Sequence, residues 1–317
     1  MVSVLVSFII SCVAGLVSAP FIIRQLKKLK LGQFIRDDGP QTHLVKQGTP
    51  SMGGMIMALG TLVAVALSVP KSDDVYMALV TALGFGGIGF VDDYLKVRHR
   101  RSLGLKGRFK FLGQLLFGAA IAFYAYRAYG GDVKIPFVGL PIGMGPFYVP
   151  FAMFIVIGAA NGMNFADGVD GLAAGAASAS VGAYGIIAFL QMQEGLAALS
   201  AGVIGSCMAF LAFNSHPAKV FMGDTGSLGL GGLLGALAVL TRNEALLAVI
   251  GFLYVVEVLS SVIQVYYIRR LKRRLFRMAP IHHHFELMGF PEAHVAVGFW
   301  IASFISGALG LLIFLRG

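Results

Sequence analysis

Long apolar runs alternate with short basic, acidic or glycine-rich stretches from one end of the chain to the other. Ten runs stand out, at roughly 2–23, 50–69, 75–91, 109–128, 147–163, 171–190, 196–213, 226–241, 244–268 and 294–315. Each is near the ~20 residues that carry an α-helix across the hydrocarbon core of a bilayer. The pattern predicts an all-α polytopic membrane protein with about ten transmembrane helices, forming a single domain over 1–317. The first run lacks a charged segment before it and is followed by basic residues, so it reads as an uncleaved span. Between the fourth and fifth runs, 129–146 combines Gly and Pro with the alternation Val133-Lys134-Ile135-Pro136-Phe137-Val138, which predicts a small hairpin. Neither an internal repeat nor a low-complexity linker is visible.

Composition narrows the class. Of the 317 residues, 57% are hydrophobic and only 13% are charged, with 42 glycines. A soluble domain carries about 25% charged residues, so there is too little polar surface here for one. Cys12 and Cys207 both lie in apolar runs, which argues against a disulfide framework or a zinc site. The net charge of +10 is assigned by its distribution to membrane topology and not to nucleic acid. Six basic residues fall in each of 24–49, 92–108 and 269–293, and Lys219 adds to 214–225. The alternate connections and ends carry only Lys71, Lys134, Arg242 and Arg316, with Arg127 at a span boundary. By the positive-inside rule the first set is cytoplasmic, both termini are outside, and the hairpin is extracytoplasmic.

Every acidic cluster then falls on the cytoplasmic side. Asp92 and Asp93 close the third run, where two adjacent carboxylates meet the negative end of a helix dipole. Asp167 and Asp170 lie among glycines beside Asn161 and Asn164. Asp224, in Gly223-Asp224-Thr225-Gly226-Ser227, precedes an apolar helix and is the strongest N-cap candidate; a cap and a metal ligand are compatible. Brought together, these acids make a pocket suited to a hard cation and a phosphorylated substrate. His282-His283-His284 sit in a basic loop, Pro280 to Glu286, as phosphate donors or proton carriers. The run Gly39 to Gly54 offers glycines, hydroxyls and Lys46 to an anionic head group, or is simply a turn before a helix. Gly84-Phe85-Gly86-Gly87-Ile88-Gly89 matches G-x-G-x-x-G but has no preceding strand, so its small residues predict close helix packing. Glu257 is an acid deep in a span and fits a groove lining or, in a rival reading, the ion pathway of a secondary transporter. Against a transporter, the other acids cluster at span ends and not at the midplane.

Asp92-Asp93-Tyr94, Asn161 to Leu172, Phe221 to Ser227 and Pro280 to Glu286 resemble the signatures of the polyprenyl-phosphate N-acetyl-hexosamine-1-phosphate transferases. Lys46 to Gly54 and the triple histidine are most similar to the branch that uses UDP-N-acetylmuramoyl-pentapeptide, ahead of the branch that uses UDP-N-acetylglucosamine. The resemblance implies transfer of phospho-N-acetylmuramoyl-pentapeptide to undecaprenyl phosphate with Mg²⁺, in a bacterial cytoplasmic membrane, and it allows a homodimer. It implies that Asp224 binds metal, that Asp92 is a base for the lipid phosphate and that Asp93 assists. Asn161, Asn164, Asp167, Asp170, Asn214 and Phe221 would form the nucleotide side, approached by Lys46, Thr49 and Lys96. His282, His283 and His284 would bind phosphate or the sugar–peptide side. Two mechanisms stay open: direct attack by the lipid phosphate, which is favoured, and a covalent aspartyl intermediate.

Overall fold

The computed structural model describes residues 1–29, 48–99, 103–135 and 141–316. Its helices are α1 (Val2–Lys28), α2 (Gly54–Leu67), α3 (Asp73–Arg98), α4 (Gly107–Tyr129), α5 (Tyr148–Ala166), α6 (Leu172–Leu190) and α7 (Glu194–Asn214). There follow α8 (Gly223–Leu240), α9 (Leu247–Ile250), α10 (Phe252–Leu271), α11 (Ile281–Leu287) and α12 (Glu292–Arg316). Strands β1 (Asp132–Lys134) and β2 (Pro141–Gly143) pair antiparallel, with Val133 opposite Ile142, and supply the expected hairpin. Among the described residues nine helices are long and apolar enough to cross a membrane. The second run departs from expectation. Its helix α2 has 14 residues, about 21 Å at 1.5 Å per residue, because Pro50–Gly53 stay outside the helix. The Phe221 and Gly53 amides donate to the Pro50 and Phe221 carbonyls, each at 2.8 Å, and lash that segment to the entry of α8.

Helix α8 is the hub. α8 is buried along nearly its whole length, whereas α1 and α12 bury only a narrow face. Its glycines explain how neighbours approach so closely. A Cβ on Gly231 would lie 2.5 Å from Ala160 Cα, and one on Gly235 2.6 Å from Val156 Cα, both on α5. On the α3 side, a Cβ on Gly89 would overlap the Asp224 carbonyl, and one on Gly86 would lie 3.2 Å from the Thr225 carbonyl oxygen. The glycine pattern in the third run is therefore a packing seam, as expected.

The ninth run is not continuous. Gly251 separates α9 from α10, and Glu244 sits in the turn before α9, where Tyr148 donates to it at 2.5 Å. Arg242 lies 4.8 Å over the Tyr148 ring and donates to the Gly130 and Asp132 carbonyls, tying the hairpin to the bundle.

The seam makes a direct prediction. Gly89→Ala should destabilise the folded protein by about 1–3 kcal/mol, as overpacking does. Gly87→Ala, with nothing within 4 Å of its Cβ, should not. Thermal unfolding in detergent, comparing the two variants, is the check; equal midpoints would mean the seam yields easily.

Candidate active site

Three acids from two helices meet at one end of the bundle. Asp92 and Asp93, each 3% exposed, lie in the last turns of α3, and Asp224 lies in the first turn of α8. Carboxylate oxygens of the three are all within 4.8 Å of one another. Two ammonium groups hold them. Lys96 Nζ is 2.7 Å from Asp92 Oδ2, 3.7 Å from Asp93 Oδ1 and 3.2 Å from Asp224 Oδ2. Lys110 Nζ donates to Asp224 Oδ2 at 2.6 Å. Lys96 follows Asp92 by one helical turn, so the helix itself forms that pair.

The cap on α8 differs from the expectation. Asp224 does not cap its own helix; the N-cap residue is Met222, without a side-chain cap. Asp93 of α3 does the work instead. Its Oδ1 accepts from the Asp224 amide at 3.2 Å, and its Oδ2 accepts from the Thr225 amide at 2.9 Å and hydroxyl at 2.7 Å. A carboxylate at the positive end of a helix dipole is also favoured electrostatically. Asp224 is left to pair with Lys96 and Lys110, oriented by Asn164 Nδ2, which donates to Asp224 Oδ1 at 2.9 Å and to Ser227 Oγ at 2.8 Å. Asp92 Oδ1 accepts from the Leu105 amide at 2.8 Å and so fixes the approach to α4.

The turn between α5 and α6 joins this cluster to the rest of the expected site. The Asp170 amide donates to Glu292 Oε1 at 2.8 Å, and Asp170 Oδ2 accepts from the Ala218 amide at 3.1 Å and lies 3.1 Å from His216 Nδ1. Asn214 accepts from the Gly171 amide at 3.0 Å and donates to the Val220 carbonyl at 2.8 Å, which places Phe221 beside the turn. Asn161 is engaged elsewhere, in a reciprocal amide pair with Gln114 at 3.0 and 3.3 Å. Half-buried Asp167 has its pKa raised well above the usual carboxylate range, by burial first and then by the Asp224 and Asp93 carboxylates, against the opposing Lys96.

The triple histidine forms the short helix α11, not a loop. His282 is fully buried, with Nε2 against Gly168 of the α5–α6 turn. His283 Nδ1 is 2.6 Å from Glu286 Oε2, and His284 Nδ1 accepts from the Arg277 amide at 3.1 Å. Thr49 adjoins the Pro50–Gly53 segment, and Lys46 lies outside the described residues.

Sequence reasoning missed Lys110, Gln114, Thr225, Ser227, His216 and Glu292 as parts of these networks. Lys110 alone left a signal: a cation in the first turn of a helix opposes the dipole and calls for an anion nearby.

An apolar helical bundle carries this acidic, lysine-bridged cluster at one end, and comparison gives its class, a transferase: the chain belongs to Glycosyl transferase family 4, whose match covers residues 75–242. More particularly, it is 47% identical to the phospho-N-acetylmuramoyl-pentapeptide-transferase of Desulforamulus reducens, over 97% of this chain and 93% of that protein. It is 41% identical to the protein of the same name from Bacillus subtilis, over 98% and 96%. The like-named Clostridioides difficile protein is 42% identical over 97% and 95%.

Asp167 generates the prediction here. Because its folded pKa is raised, the folded state binds the proton more tightly than the unfolded chain does. Stability is lost as pH climbs from the ordinary carboxylate range, near 4, through the folded pKa. Asp167→Asn should therefore raise the thermal midpoint at pH 8 and change it little at pH 4.5. An Asn variant no more stable than the parent at pH 8 would refute it.

Proposed function

We propose that this protein transfers phospho-N-acetylmuramoyl-pentapeptide from its UDP donor to undecaprenyl phosphate, releasing UMP and forming the lipid-linked pyrophosphate sugar. The observation that carries the reading is the Asp92–Asp93–Asp224 cluster threaded by Lys96 and Lys110. The near full-length similarity to relatives bearing that transferase name supports the choice of donor and acceptor. The basic excess in the connections at the site's end of the bundle favours a site facing the cytoplasm, in a bacterial cytoplasmic membrane.

In this reaction an oxygen of the lipid phosphate bonds to the sugar-linked phosphorus, and the bond from that phosphorus to the bridging oxygen breaks, with UMP as the leaving group. Both reactants are anions and repel. Lys96 and Lys110 bring positive charge to that meeting point. The all-carboxylate donor set of Asp92, Asp93 and Asp224 fits Mg²⁺, which when bound would offset the pyrophosphate charge. Asp224, paired with Lys96 and Lys110 and oriented by Asn164, would be the principal ligand. Asp92 Oδ2 is the acceptor for a proton from the lipid phosphate. Asp93 keeps α8 in register and is committed to three donors, which disfavours it as a nucleophile. The α5–α6 turn, Phe221 and the histidine helix form the donor side, where Phe221 would stack on uracil.

Purified protein given UDP-N-acetylmuramoyl-pentapeptide, undecaprenyl phosphate and Mg²⁺ should yield UMP and lipid product in equal amounts. Chelation should stop turnover, and Asp224→Asn should fold yet be inactive. Turnover with UDP-N-acetylglucosamine and none with the muramoyl donor would overturn the reading.

Direct attack is separately testable. Donor and Mg²⁺ without lipid should give no burst of UMP, and Asp92→Asn should lose about 10²–10⁴-fold in rate, partly regained as pH rises and the acceptor sheds its own proton. A stoichiometric burst with phospho-sugar retained on the protein would establish a covalent step instead.

A further inference from the structure

Helix α10 is an outward-facing span with a narrow buried polar stripe. Glu257, Ser260 and Gln264 are buried on it, and their spacing of three and seven puts them on one face. Gln264 uses that face to grip the connection to α11: its Oε1 accepts from the Leu275 and Phe276 amides at 3.1 and 3.0 Å, and its Nε2 donates to the Phe276 carbonyl at 2.9 Å. Two turns earlier Glu257 meets His282, with Oε2 3.1 Å from Nδ1. Both residues are 0% exposed. Neither Glu257 oxygen nor either ring nitrogen of His282 has a hydrogen bond of good geometry among the described residues, so each group has the other as its polar neighbour. The far nitrogen, Nε2, is pressed against Gly168, where a Cβ would overlap it. Gly168 follows Asp167 and lies one helical turn beyond Asn164, the residue that orients Asp224.

We propose that Glu257 is a positioning residue that acts through His282 to hold the Asp167–Gly171 turn, and with it the donor side of the site, in register with Asp224. A carboxylate beside Nδ1 turns the imidazole edge so that Nε2 faces the turn. The close approach of the carboxylate to the ring keeps two groups buried that an apolar span would otherwise exclude. The absence of a side chain at Gly168 lets the ring come into contact. This rests on the donor reading above and adds to it a residue of the span that touches no substrate.

The test separates positioning from folding and from the donor assignment. Glu257→Gln preserves shape and removes the charge. It should raise the KM for UDP-N-acetylmuramoyl-pentapeptide about tenfold and leave the KM for undecaprenyl phosphate within about twofold, whereas partial misfolding lowers kcat and moves neither KM. Gly168→Ala attacks the same contact from the other side and should give the same split. The double variant should be no worse than the poorer single, because both break one linkage. A parent-like donor KM in both singles, equal rises in both KM values, or additive effects would overturn the proposal. The clamp is also read without substrate: amide hydrogen exchange across 165–172 should quicken in Glu257→Gln. Unchanged exchange sinks the inference whatever the donor, and faster exchange in a protein that does not use this donor leaves the clamp standing while the donor reading fails.

Discussion

The Asp93 carboxylate at the start of α8 is the constraint on which the site depends. A helix begins with amides that lack partners, and inside a bundle, out of reach of bulk water, each such group is costly. Here the partner comes from a different helix. Asp93 can reach the Asp224 and Thr225 amides because Gly89 and Gly86 let α3 lie against the carbonyls of α8. Packing and polar satisfaction thus form one device: the glycines set the helix separation, and the carboxylate fixes the axial register.

That register gives the three aspartates different surroundings. Three carboxylates within one small volume repel, and the arrangement is held by giving each a different job. Asp93 is consumed by donors at the start of α8, Asp92 orders the approach to α4 through the Leu105 amide, and Asp224 lies between Lys96 and Lys110. Asn164 orients Asp224 and stands three residues before Asp167, so the acidic cluster and the α5–α6 turn share one connection. The α5–α6 turn then carries the linkage onward, through Asn214 to Phe221 and through Gly168 to His282.

The opposite end of the bundle shows the same economy with other residues. Glu244 is buried under Tyr148, Arg242 covers that ring, and the small hairpin hangs from Arg242 by its carbonyls. This network secures the turn between α8 and α9 without any contact to the acidic cluster. The break at Gly251 sets the start of α10, the helix whose buried face receives α11.

What the sequence by itself determined is one-dimensional. Apolar run length gave the helical class and the ten segments, since a bilayer demands about 20 apolar residues whatever the neighbours are. Charge asymmetry grouped the connections that carry Asp92, Asp167, Asp224 and His282, and the hairpin followed from local turn chemistry. The glycine run in α3 was legible as packing because no strand preceded it. Roles were another matter. Asp224 reads locally as a cap, yet Asp93, 131 residues away in sequence, performs the capping. Glu257 reads as an isolated acid in a span, and only the docking of α11 gives it a partner. Gln114, His216 and Glu292 acquire meaning solely through contacts with other segments, and Lys110 finds its anion only there. Such assignments follow from which faces of separate helices meet, and that is set by interhelical packing and rotation, which a local pattern of residues does not encode.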